Sequence, residues 1–229
     1  MKIELKVPES LNEISLKQYQ KYIDIVNNNT DEIFIAQKMI EIFCHVSLAN
    51  VVKMKATSIN ELLAHFKAIF EVERKFTNRF TLEGVDYGFI PNMEEITFEE
   101  YVDIEANISD INKLQKALCV MYRPIKENKK DLYTIHDKDY GSKFDEVLRF
   151  CPLDIALSAQ VFFYDLGMEL LQAIPVYLKQ KTKNLTISQW KDNSTPSGDG
   201  ITQSLTYLEE TLPSLTKLHG KDYSSALHY

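Results

Sequence analysis

Residues 96–124 read ITFEEYVDIEANISDINKLQKALCVMYRP. Thr97-Phe98-Glu99-Glu100 has the form of a capping box, in which the threonine hydroxyl accepts from a first-turn amide and the glutamate reaches back. Glu99 and Glu100 also sit at the positive end of the helix dipole. Ile104, Ile108 and Ile111 continue an apolar stripe, and Leu114, Ala117, Leu118 and Met121 begin another. The second helix is expected to end at Tyr122-Arg123-Pro124, because Pro124 disfavours helical geometry before it and has no amide to donate. Arg123 follows an apolar run, so its buried charge needs a partner. Asp103 and Glu105 on the preceding helix are the candidates, and Asp103–Arg123 is the expected structural pair. A phosphate-binding arginine is the other reading, but no glycine-rich loop accompanies it.

Outward from this stretch, residues 80–90, FTLEGVDYGFI, place Gly84 between two β-prone segments and predict a hairpin. Residues 2–8 alternate and predict a short strand or extended arm. Ser15-Leu16-Lys17-Gln18 is a second capping box, followed by a helix that ends at Asn27-Asn28-Asn29. A broadly apolar, buried helix is expected from about Asp31 to about Val46. Ser58-Ile59-Asn60-Glu61 reads as a third box, opening a helix that runs to about Glu73. The segments Glu13–Tyr19 and Glu95–Tyr101 share the form E-I-[S/T]-apolar-x-[Q/E]-Y. An internal duplication and convergence on one capping pattern both account for it.

On the far side, Lys126–Lys130 reads as a charged, solvated loop and Leu132–Ile135 as a short strand. His136-Asp137-Lys138-Asp139 reads as a polar surface loop. Pro152 is expected to open the longest helix, to about Ala173, apolar nearly all round and central to the core. Residues 191–200, KDNSTPSGDG, have linker composition. The sequence therefore predicts a mainly α domain over 1–190 with one small hairpin, a linker over 191–200, and a C-terminal interaction arm over 201–229. Leu205, Tyr207, Leu208 and Leu212 are the arm's expected anchors, with Tyr223 and Leu227 following.

Composition narrows the function. The net charge of −7 disfavours nonspecific binding to nucleic acid or an anionic membrane. No apolar run has spanning length. Cys44, Cys119 and Cys151 form no CxxC pair and are expected to be buried hydrophobes in a reducing compartment. His45 and His65 lie in helical stretches without metal-ligand spacing. No nucleotide-binding, metallohydrolase or nucleophile motif is present, so no catalytic residue, metal or cofactor is expected. Tyrosine- and phenylalanine-rich helical surface with a reaching appendage points to protein–protein contact.

Five segments occur in order: VPESLNEISLKQYQKY, YGFIPNMEEITFEEYVDIE, LCVMYRPI, YTIHDKDY and CPLDIALSAQVFFYDLGMELL. Together they resemble small proteins from the structural modules of tailed bacteriophages, nearest to those of Bacteroidetes phages including the crAss-like group. Proteins of that kind are tail-assembly chaperones or virion proteins. The resemblance covers about residues 7–178. It implies a non-enzymatic phage protein binding portal, tail or cargo proteins in a symmetric assembly, located in the virion. A chaperone left out of the mature particle is the alternative.

Overall fold

The computed structural model describes residues 5–93, 96–129 and 132–166. The chain divides into two units, Met1–Gln160 and Val161–Tyr229. Of the second, the described residues are 161–166, which are helical. The expected linker and arm, with Leu205, Tyr207, Leu208, Leu212, Tyr223 and Leu227, lie outside the described residues.

The first unit is mostly helical and carries a small antiparallel sheet. A 3₁₀ turn at Leu11–Glu13 leads into α1 (Leu16–Asn28), α2 (Glu32–Phe43), the short α3 (Leu48–Val51) and α4 (Ala56–Glu71). Strands β1 (Arg79–Leu82) and β2 (Val85–Phe89) follow, then α5 (Phe98–Ile108) and α6 (Leu114–Met121). Strands β3 (Tyr122–Lys129) and β4 (Leu132–Ile135), short helices α7 (Lys138–Gly141) and α8 (Asp145–Leu148), and α9 from residue 153 complete the order.

Two capping boxes form as expected. Ser15 Oγ accepts from the Gln18 amide and Gln18 answers to the Ser15 amide. Thr97 and Glu100 do the same for α5. The third box does not form. The N-cap of α4 is Lys55, without a side-chain hydrogen bond, and Ser58 lies inside the first turn. Residues 5–8 form no strand.

The expected hairpin is present, with Glu83 and Gly84 both at positive φ, 51° and 79°. That pair of left-handed residues is what a tight two-residue turn requires. The hairpin is half of a larger sheet, in the order β1-β2-β3-β4, antiparallel throughout. Pro124 does end α6, as expected. The chain then stays extended, and Tyr122, Arg123 and Pro124 pair with Phe89, Gly88 and Tyr87. A register shift between Ile125 and Glu127 follows directly, the setting in which a sheet tolerates proline. The charged stretch after Pro124, read from sequence as a loop, is strand through Lys129. Its exposed residues pair with β4, as in Asn128↔Tyr133.

Two aromatic clusters build the core. Tyr19, Tyr22, Phe43, Phe66 and Phe70 join α1, α2 and α4. Phe76, Phe80, Tyr87, Phe89, Tyr122 and Phe144 pack around the sheet. The helix buried almost all round is α6, from Leu114 to Met121 apart from Lys116. In the part of α9 that belongs to the first unit, Leu153, Ile155, Ala156, Ser158 and Ala159 are buried. An antiparallel bridge between Ser15 and Pro152 fastens the start of α1 to the start of α9. It is extended by Leu16 N–H to Cys151 O at 3.0 Å and Leu153 N–H to Ile14 O at 2.8 Å.

Candidate functional site

Charged chemistry in the first unit concentrates where α5 meets β3 and α7. Arg123 Nη2 lies 2.8 Å from Glu100 Oε1, both side chains nearly covered. The partner expected from sequence, Asp103, is not the one used. Asp103 pairs with Lys138, Oδ2 to Nζ at 2.6 Å, and the same ammonium meets Glu99 Oε1 at 2.9 Å. The reason is helical phase. Glu100 shares the inward face of α5 with Ile104 and Ile108, whereas Asp103 is rotated toward solvent.

Glu100 also completes its cap. Its Oε2 accepts from the Thr97 amide at 2.9 Å and from the Thr97 hydroxyl at 3.1 Å. Arg123 Nη1 donates to the His136 carbonyl at 3.4 Å, while its Nε is buried without a hydrogen-bond partner among the described residues. Gly141 makes room for the guanidinium's stem: a Cβ there would sit 2.9 Å from Arg123 Cγ. Cys119 Sγ donates to the Gly141 carbonyl at 2.9 Å and binds α7 to α6. Hydrogen bonding to Asp103 leads the causes that raise the Lys138 pKa, with Glu99 assisting against desolvation.

A second buried polar group joins α1 to α6 and the end of α8. Gln20 Nε2 donates to Gln115 Oε1 and to the Ile111 carbonyl, each at 2.8 Å. Arg149 Nε donates to Gln20 Oε1 at 3.2 Å. Sequence reading missed both glutamines. Their only signal is a polar residue in a stripe of buried neighbours. His65 Nε2 donates to the Pro8 carbonyl at 2.7 Å, and His45 Nε2 faces Gln18 Nε2 at 3.2 Å.

Among the described residues, no three His, Cys, Asp or Glu side chains are grouped to hold a metal. No helix among them is long and apolar enough to cross a membrane. Burial pushes the Cys44 thiol up to about 11 and the Cys119 and Cys151 thiols up to about 12. Near neutral pH they stay protonated, which makes them poor nucleophiles. The charged cluster can therefore lock α5 against the sheet, and its acids outnumber its cations on the outer side of α5. That outer side carries Phe98 and Val102, both exposed. No family model, curated protein or solved structure matches this chain.

Proposed function

We propose that this chain is a non-enzymatic bacteriophage protein that binds other phage proteins near the portal, tail or capsid interior, packaged cargo included. The observation that carries the reading is the ordered run of five segments across about residues 7–178. Their resemblance is to structural-module proteins of tailed phages. Exposed apolar side chains on α5, beside an ion-paired charged cluster, support a role in protein contact. The virion is the proposed location and a symmetric assembly the proposed context. The alternative within the same reading is a tail-assembly chaperone absent from the finished particle.

The test is mass spectrometry of purified particles of the encoding phage, calibrated for copy number. A fixed ratio to the portal protein is the expected result. Absence from particles together with abundance in infected cells moves the role to the chaperone. Absence from particles and no association with any phage protein in infected cells overturns the reading.

A further inference from the structure

Helix α5 has two faces of different use. Glu100, Ile104 and Ile108 are buried. Opposite them Phe98 is 82% exposed, Val102 is 41% exposed, and Ala106 is exposed. These three recur every fourth residue, so they form a continuous ridge about 12 Å long at a rise of 1.5 Å per residue. A ridge of that spacing is the kind that seats in the groove between the corresponding ridges of another helix.

Carboxylates border the ridge on both sides. Glu99 and Asp103 lie along one edge, where the single ammonium of Lys138 serves both. Glu105 lies along the other edge, partly buried, which raises its pKa. No ion pair to Glu105 occurs among the described residues. The border therefore carries more negative than positive charge, which favours an incoming basic flank over an acidic one.

We propose that the Phe98–Val102–Ala106 ridge docks an amphipathic helix of another polypeptide, one whose apolar stripe is flanked by lysine or arginine. The ridge supplies the apolar contact. Glu99, Asp103 and Glu105 select the basic flanks and reject an acidic helix of equal hydrophobicity. This rests on the reading of the chain as a protein-binding module, and it adds the surface and the partner's chemistry.

The experiment uses the full chain and three fluorescent helical peptides: leucines every fourth residue flanked by lysines, the same leucines flanked by glutamates, and the lysine peptide with serines for leucines. Anisotropy titrations are expected to show the first binding at least tenfold tighter than either other. Phe98→Asp should weaken it at least tenfold, although the added carboxylate raises nonspecific attraction to lysine. Phe98 is the first residue of α5, where a carboxylate meets the positive end of the dipole, so the variant should fold. Val102→Lys should weaken the lysine peptide and strengthen the glutamate peptide. Equal binding of the two leucine peptides, or unchanged affinity in Phe98→Asp, overturns the proposal. So does concentration-dependent self-association that Phe98→Asp abolishes, since it assigns the ridge to a second copy of this chain. Failure here leaves the particle proteome as an independent test of the phage reading, and absence from particles leaves this result standing.

Discussion

Glu100 serves two structures at once, with one carboxylate oxygen on the Thr97 cap and the other on Arg123. Removing it leaves a buried guanidinium unpaired, which typically destabilises by about 3–5 kcal/mol. Thr97→Ala removes only the cap hydroxyl, worth about 1 kcal/mol. Asp103→Ala breaks one contact of a Lys138 pair that remains held by Glu99, and surface pairs contribute about 0–1 kcal/mol. Urea unfolding of Glu100→Ala, Thr97→Ala and Asp103→Ala should therefore rank in that order. A larger loss for Asp103→Ala than for Glu100→Ala would contradict the observed pairing. The need for a carboxylate opposite Arg123 was legible in the sequence, since a charge closing an apolar run cannot remain alone. Its identity was not, because residues 100 and 103 are separated by less than one turn. The choice depends on how α5 is rolled against β3.

Between elements, the sheet is held by Tyr133 reaching from β4 over β3 to β2. Its hydroxyl donates to the Phe89 carbonyl at 2.6 Å, and the Arg79 guanidinium lies 4.3 Å from its ring centre. The ring covers Gly88 so closely that a Cβ would fall 2.3 Å from Tyr133 Cε2. Gly88→Ala must displace the ring and its hydrogen bond, and overpacking of this kind costs about 1–3 kcal/mol. Tyr133→Phe keeps the ring and loses only the hydroxyl bond, so it should lose less, about 1 kcal/mol. Thermal melts of the two variants check this, and an unperturbed Gly88→Ala would mean that the aromatic lid does not bear on the strand. The β1–β2 hairpin was legible from Gly84 and its β-prone flanks. β3 was not, because KENK has strand character only when β4 lies beside it. Pro124 correctly marks the end of α6 but says nothing about what the released chain pairs with.

Across the first unit, three thiols and Tyr22 are buried with raised pKa values. An unfolded thiol ionises near 9, whereas these ionise at about 11 to 12. In that window the native state binds more protons than the unfolded state, so stability falls as pH rises. Urea midpoints measured at pH 7.5 and 10 should show a loss at the higher pH. Cys151→Ala should shrink that loss, and an identical midpoint at both values would refute the coupling. The third capping box failed because of where α4 begins. Ser58 has the right neighbours, but α4 starts two residues before it, at Ala56, so Ser58 sits inside the first turn and cannot act as the N-cap.

The sequence alone established the mainly helical class, the starts of α1, α2 and α5, the turn at Gly84 and the burial of the cysteines. These depend on interactions within a few residues or on side-chain hydrophobicity, and both are written locally. The four-stranded sheet, the burial of α6, the Gln20–Gln115 contact and the Glu100–Arg123 pair were decided by tertiary structure. Each joins residues distant along the chain, or selects one of two neighbouring carboxylates by the roll of a helix. That roll follows from packing the whole apolar surface together.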